Sequence, residues 1–260
     1  MGATVTTFLD GGKTRLVQLG RMALDTIYPP RCLACMEFTD ASHGLCAECW
    51  RETHFIAGAT CCKCGVPLVG EAGEGDLCES CLRHPPPWER GAAALVYRGA
   101  ARRMVLGFKH SDRLDMARPL ARWMAGAGRR VIADSDLIAA VPLHWRRLLK
   151  RRYNQSAELA RALSRETGLP AVPDLLERKR ATIAQKRMNR EQRAANQSGA
   201  ISVNPRHMTR VSGRSVLVLD DVLTSGATLG TCTEALLAAG ATRVNVLALC
   251  RVAFEERGDL

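Results

Sequence analysis

Four Cys-x-x-Cys pairs, Cys32/Cys35, Cys46/Cys49, Cys61/Cys64 and Cys78/Cys81, follow one another at intervals of ten, eleven and thirteen residues. They use eight of the chain's 11 cysteines, and Cys62 is the extra one within the ladder. A Cys-x-x-Cys turn aims two thiolates at a point about 2.3 Å away, and two such turns complete a tetrahedron around zinc. The ladder therefore predicts two structural Zn²⁺ sites of four thiolates each, with no open coordination position for catalysis. Gly65 directly follows Cys64 and supplies the positive φ that helps close such a knuckle. Redox chemistry and chance clustering are weaker accounts of a spacing repeated four times. The spacing leaves the pairing open. Sequential ribbons are simplest, beside an interleaved cross-brace or a ligand swap to Cys62, His43 or His84. Metal of this kind folds a segment too small to bury a sufficient core unaided.

The same cysteines bear on compartment. Asp10, Gly11 and Lys13 interrupt the one apolar patch near the N-terminus, so no secretory signal is expected. No run approaches the ~20 apolar residues of a membrane-spanning helix. A cytoplasmic chain keeps its thiols reduced, which favours metal ligation over disulfides. Between Lys13 and Ile27, Leu16, Leu19, Ala23, Leu24 and Ile27 repeat at helical spacing and stop before Pro29 and Pro30. This N-terminal helix is expected to pack on the rest of the protein; a membrane-surface role using Arg15 and Arg21 is the weaker reading.

After Pro85-Pro86-Pro87 the cysteines almost vanish and short apolar runs alternate with helical patterns. Leu137 to Leu143, Val216 to Leu219 and Val244 to Leu249 read as buried strands. Asn154 to Glu166 and Ala227 to Ala239 read as helices, the second closed by Gly240. This alternation predicts an α/β domain with a mostly parallel sheet. The composition, 47% hydrophobic and 24% charged, excludes disorder and fibrous repeats as overall descriptions. The formal charge of +11 favours anionic partners.

One strand carries the chemistry. Val216 to Leu219 leads into Asp220-Asp221, then Val222-Leu223-Thr224-Ser225-Gly226-Ala227-Thr228. Acids at the carboxyl edge of such a sheet stand where these folds bind ligands. The hydroxyl- and glycine-containing loop opens a helix and offers backbone N–H groups to an anion. Carboxylates beside a phosphate cradle suit a ligand with hydroxyls to offer, or one that brings Mg²⁺. A ribose 5-phosphate meets both demands. No His or Cys near Asp220 is spaced as a nucleophile–base pair, so hydrolase chemistry has no support.

The string VLVLDDVLTSGAT closely resembles the phosphoribosyl-pyrophosphate (PRPP) motif of type I phosphoribosyltransferases. Together with the cysteine ladder, Phe108-Lys109-His110, VPLHWRRLLKRRYNQ (141–155) and RKRATIAQKRMNREQRAAN (178–196), it resembles the ComF family. That family joins a zinc ribbon to such a domain and is associated with competence. The resemblance implies a type I phosphoribosyltransferase-like, mostly parallel sheet with helices on both faces, preceded by a small zinc-ribbon module. The corresponding boundaries are 1–30 for the N-terminal helix, 31–88 for the double zinc ribbon and 91–260 for the phosphoribosyltransferase domain. It implies Asp220 and Asp221 on the ribose hydroxyls, Thr224, Ser225, Gly226, Ala227 and Thr228 on the 5-phosphate, and Mg²⁺ accompanying PRPP.

The resemblance also places a pyrophosphate loop at Arg151 to Gln155, with Arg151, Tyr153 and Asn154 as PRPP-binding residues. Arg152 stands where the family usually has glycine, so a turn expected to approach pyrophosphate closely is altered. Asn154 reads equally well as a helix N-cap. Arg178 to Arg193 holds seven basic residues in sixteen. It is either a solvated helix face or the loop that closes over PRPP, with Lys179, Arg180, Lys186 and Arg187 as candidate catalytic cations for the departing pyrophosphate. Lys109 reads first as a capping or surface lysine.

Two functions follow from the resemblance. One is transfer of a phosphoribosyl group to a nitrogen nucleophile, linked to DNA uptake or nucleotide metabolism. The other is a non-catalytic single-stranded DNA-binding or adaptor protein in natural transformation, with a helicase and a recombination mediator as partners. Charge supports the second, including Arg146, Arg147 and Lys150. An aromatic content of 5% does not, since single-strand binders stack bases on aromatic rings. Trp145 and Tyr153 are better read as anchors. A third reading makes the ribbons a docking face and the phosphoribosyl site a vestigial sensor. The acceptor is unspecified by these residues; the N-terminal module with Ala92 to Arg130 is expected to cover its pocket.

Overall fold

The computed structural model describes residues 29–39, 44–70, 73, 75–110, 113–143, 148–149, 151–179 and 200–253. The expected helix at 13–27 lies outside them. Five strands form one parallel sheet: β1 (Gly91–Val96), β2 (Leu137–Ala140), β3 (Ala171–Val172), β6 (Ser215–Leu223) and β7 (Arg243–Arg251). Their order is β1-β7-β6-β2-β3. A separate antiparallel ribbon pairs β4 (Leu176–Arg178) with β5 (Ile201–Val203). The described helices are α1 (Ala47–Arg51), α2 (Glu79–Arg83), α3 (Gly99–His110), α4 (Ala117–Ala127), α5 (Arg129–Ala133), α6 (Gln155–Thr167), α7 (Met208–Val211) and α8 (Ala227–Ala238). Among the described residues, no helix is long and apolar enough to cross a membrane.

Both faces of the sheet are covered, which is why its strands read as continuous apolar runs rather than alternating ones. Along β6 the side chains divide by parity. Leu217 and Leu219 join Met104, Phe108, Leu120 and Leu159 from α3, α4 and α6. Val216 and Val218 join Leu229, Cys232 and Leu236 of α8. Cys61, Cys64, Cys81 and Trp88 belong to this second core, so the second cysteine cluster is packed into the sheet's flank. The first cluster packs through Cys32 and Cys49 against Ala100 of α3.

Residues between the two clusters also seal the sheet. Ile56 donates its N–H to Ala94 O at 2.9 Å, Val96 donates to His54 O at 2.9 Å, and Phe55 bridges Leu95 antiparallel. Ala94 O and Val96 N, on the outer edge of β1, are thereby satisfied. The approach is close: a Cβ on Gly91 would lie 2.3 Å from Lys63 O and 2.9 Å from Val246 Cγ2.

The strand order reverses between β2 and β6. The chain leaves β2 toward β3 and leaves β6 toward β7, so a crevice opens at their carboxyl ends, the usual ligand position in such sheets. The structure differs from the sequence expectation here. Asp220 and Asp221 lie within β6, because β7 continues to pair with it through Asp220↔Ala248 and Leu223↔Arg251. On the other side β2 stops earlier, at Ala140↔Leu219, and does not reach Leu143. The acids thus sit on a strand that is paired on one edge and open on the other.

Replacing Gly91 by Ala should force Lys63 and the second cluster away from β1. The expected result is a loss of roughly 2 kcal/mol or more, read as a lowered denaturation midpoint with zinc content measured alongside. An unchanged midpoint would contradict this packing.

Candidate functional site

The eight ladder cysteines form two groups in sequential order. The Sγ atoms of Cys32, Cys35, Cys46 and Cys49 lie within 4.8 Å of one another, and so do those of Cys61, Cys64, Cys78 and Cys81. Cys35 and Cys46 are 3.7 Å apart, as are Cys64 and Cys78. Bonds of about 2.3 Å to a tetrahedral zinc span an S···S edge of roughly 3.8 Å, so the spacing fits that ion. The knuckles repeat: Cys32 N donates to Glu37 O and Cys61 N to Val66 O, with Met36 and Gly65 both at positive φ, +70° and +67°. Burial pushes the Cys49 thiol up to about 12. Burial and the neighbouring Cys61 do the same to Cys81. Four thiols so placed cannot all ionise without a cation among them, and a divalent metal supplies it. Cys62 turns away, its Sγ 3.3 Å from Gly75 O. His43 lies outside the described residues, and His84 lines a small cavity beside the second cluster.

In the crevice three elements converge. Asp220 Oδ1 accepts from Ser156 Oγ of α6 at 3.1 Å and from the Asp221 N–H at 2.8 Å. Asp221 Oδ1 pairs with Lys109 Nζ of α3 at 2.9 Å, their side chains only 12% and 18% exposed. Desolvation, then the Asp221 charge, push the Asp220 carboxyl up to about 7, against the opposing pull of Lys109. Among the described residues, one lysine therefore faces two acids. Such a pair favours ligand hydroxyls or a hydrated metal ion that restores the balance.

Thr224, Ser225 and Gly226 lead from β6 into α8. Gly226 stands at the helix N-cap with φ +79° and supplies no side-chain cap, so the positive end of α8 faces the loop. Asp220 and the residues from Val222 to Leu229 line one concavity, so Asp220 and the loop share a site, while Asp221 turns to Lys109. The loop is held from behind. Arg251, 6% exposed, donates Nη1 to the carbonyls of Leu223 at 3.1 Å, Thr224 at 2.8 Å and Val252 at 2.6 Å. Trp88 packs under Gly226, where a Cβ would come within 2.7 Å of its ring.

The Arg151 to Gln155 turn is built largely from internal bonds. Arg151 Nη1 donates to Gln155 Oε1 at 3.2 Å. The Tyr153 hydroxyl donates to Phe108 O at 2.6 Å, tying the turn to α3. Asn154 is the N-cap of α6, accepting from Ser156 N at 3.1 Å, and its Nδ2 donates to Val141 O at 3.0 Å. Arg152 has φ +65°, the left-handed conformation that glycine takes freely. The backbone at this position keeps a glycine-like shape although the residue has changed, at a local cost of about 1–2 kcal/mol.

Lys179 Nζ lies 3.6 Å from Glu177 Oε1 and is 62% exposed, a solvated pair at the mouth of the β4–β5 ribbon. Arg180, Lys186 and Arg187 lie outside the described residues, as do Trp145, Arg146, Arg147 and Lys150. From the residues alone Lys109 reads as a capping or surface lysine, and Arg251 and Trp88 do not stand out. The Phe108-Lys109-His110 string was a usable signal for the first. Arg251 and Trp88 carry none, because their roles depend on contacts between distant segments.

A model of the double zinc ribbon domain matches residues 23–89, and one of the phosphoribosyl transferase domain matches residues 154–257. The chain is 32% identical over 230 residues to DNA utilization protein YhgH of Escherichia coli (strain K12), covering 86% of this chain and 97% of that one. The chain belongs to the ComF/YhgH family. A second ComF relative, competence protein F of Haemophilus influenzae, is 28% identical over 227 residues, 85% of this chain and 96% of that one. Among solved structures, UMP synthase of Leishmania donovani is similar over 58% of this chain and 24% of that one, at 21% identity and a TM-score of 0.34. The family match and the strand order establish a type I phosphoribosyltransferase-like fold joined to a double zinc ribbon.

Two outcomes follow for this site. Replacing Arg152 by Gly removes the left-handed penalty while adding freedom to the unfolded chain, so the melting temperature should hold or rise slightly. Arg152→Val should lower it by several degrees, and equal effects from the two would contradict the turn geometry. For Asp220, a folded pKa of about 7 exceeds the unfolded value of about 3.9. The native state then binds more protons between those values, and stability contributed at low pH is lost as pH rises toward 7. Asp220→Asn should therefore raise the melting temperature of the ligand-free protein at pH 8 by more than at pH 5. A shift independent of pH would show that Asp220 titrates normally.

Proposed function

We propose that the chain binds Mg²⁺-PRPP and transfers its phosphoribosyl group to a nitrogen nucleophile. The observation that carries this reading is the shared concavity: Asp220, its carboxyl pKa raised by burial and by the neighbouring Asp221, lines one hollow with the loop that opens α8, at the crevice between β2 and β6. In this reading the first turn of α8 with Thr224, Ser225, Gly226, Ala227 and Thr228 takes the 5-phosphate. Asp220 and Asp221 accept hydrogen bonds from the ribose hydroxyls. The ligand supplies the donors that lower the Asp220 pKa, so binding near neutral pH releases a proton. Mg²⁺ arrives with the pyrophosphate and neutralises its charge.

Arg151, Tyr153 and Asn154 hold the turn next to the pyrophosphate, the two latter mainly by fixing its backbone. The leaving group departs from the anomeric carbon and the nucleophile enters there, with catalysis resting on positioning and charge stabilisation. Lys179, Arg180, Lys186 and Arg187 are the candidate cations for the departing pyrophosphate. Lys109 acts as a positioning residue, orienting the Asp221 side chain through their 2.9 Å ion pair.

The relatives are named for DNA utilization and competence. We place this chain in cytoplasmic handling of incoming DNA, with single-stranded DNA, a helicase and a recombination mediator as partners. The charge of +11 supports a nucleic-acid surface beside the site.

Calorimetry with Mg²⁺-PRPP tests the assignment. The Asp220→Asn, Asp221→Asn double variant should lose at least about 100-fold in affinity, two charge-assisted hydrogen bonds being removed, while both zinc ions are retained. Undiminished affinity would overturn the assignment. Pyrophosphate release across a panel of bases and amines then separates transfer from binding alone.

A further inference from the structure

One knuckle of the second cysteine cluster reaches the phosphate loop by two separate routes. Cys64 Sγ lies 3.7 Å from Arg251 Nη2, and the other arm of that guanidinium holds the carbonyls of Leu223 and Thr224, where the loop begins. Lys63, inside the same Cys61-x-x-Cys64 turn, is bonded twice to Trp88. Its carbonyl accepts from Trp88 Nε1 at 2.6 Å, and its Nζ donates to Trp88 O at 2.7 Å. Trp88 is 3% exposed and its ring lies against Gly226, where the loop ends and α8 begins.

Both ends of the loop are thus braced from one metal knuckle. A buried guanidinium needs its donors satisfied. Three carbonyls and a thiolate do this for the two Nη groups of Arg251, its Nε having no partner among the described residues, and that thiolate is fixed in place when Cys64 ligates zinc. The first cluster is tied elsewhere: Arg103 Nη2 lies 3.4 Å from Cys49 Sγ and also pairs with Glu52, at the start of α3. The two metal sites are alike in ligands and unlike in what they touch.

We propose that the second zinc site and the phosphate loop are one coupled unit, with Arg251 and Trp88 as the positioning residues that join them, and that the first zinc site is independent. The proposal rests on the reading of this loop as the 5-phosphate site. Coupling between two sites is reciprocal. A ligand that orders the loop must hold the zinc of Cys61, Cys64, Cys78 and Cys81 more tightly, and loss of that zinc must weaken the ligand.

The test uses the full chain loaded with two zinc ions. Zinc release to a chromogenic chelator is followed with and without saturating Mg²⁺-PRPP, and PRPP affinity is measured separately by calorimetry. Release should resolve into two phases of one ion each. PRPP should slow one phase by about 5- to 100-fold and leave the other unchanged. Arg251→Lys and, independently, Trp88→Phe should reduce that protection to within about 2-fold while the unprotected phase keeps its rate. The pair of variants guards against either one misfolding.

If PRPP binds and neither phase slows, or both slow equally, the coupling is overturned and the site assignment stands. Full protection in both variants overturns the route through Arg251 and Trp88. If PRPP does not bind the wild-type chain at all, the site assignment fails and the proposal fails with it.

Discussion

The parallel pairing of β6 with β7 is the constraint on which the rest of the molecule depends. It runs from Ser215↔Arg243 to Leu223↔Arg251, four residues beyond the point where β2 leaves the other edge of β6. That overhang does three things together. It holds Asp220 and Asp221 on a rigid strand, it leaves their β2 side open, and it sets Arg251 opposite the residue where the loop begins. A slip of one register position would turn the acids to the wrong faces of the sheet. It would also take Arg251 away from the loop carbonyls.

The charge arrangement builds on that frame. Ser156 and Lys109 come from different helices, and each serves one of the two acids. The result is a site with a residual negative excess in a desolvated crevice, adjacent to the helix N-terminus of α8, a dipole end of the opposite sense. The two halves repel and attract different parts of one ligand. A molecule that carries only phosphate, or only hydroxyls, meets half of the site's preference.

Much of this was legible in the residues. The cysteine ladder has a repeated spacing, and tetrahedral chemistry leaves little freedom in its meaning. Apolar runs such as Val216 to Leu219 marked buried parallel strands because both faces are covered. The acids and the loop were legible because they are contiguous in the chain. The length of β6 was not, since it depends on how far β7 accompanies it. Asn154 could be read as a cap or as a ligand contact, and only packing shows both its side-chain bonds to be used internally. Lys109, Arg251 and Trp88 were obscured for the same reason. Each does its work on residues 25 or more positions away, and local pattern carries no trace of such contacts. Arg152 is the converse case, where the sequence signalled an altered turn and the backbone holds the glycine-like form regardless.

The short antiparallel contact of residues 54–56 with β1 changes what the cysteine-rich segment is. Composition draws a line near the proline run, with metal on one side and the sheet on the other. Hydrogen bonding draws no such line, because the stretch joining the two metal knuckles is also the guard of the sheet's terminal strand. Cutting the chain at the compositional border would not release a smaller, self-sufficient α/β unit. It would bare a row of N–H and C=O groups able to recruit another chain. The ribbons are, in that sense, the cover of the sheet's outer edge.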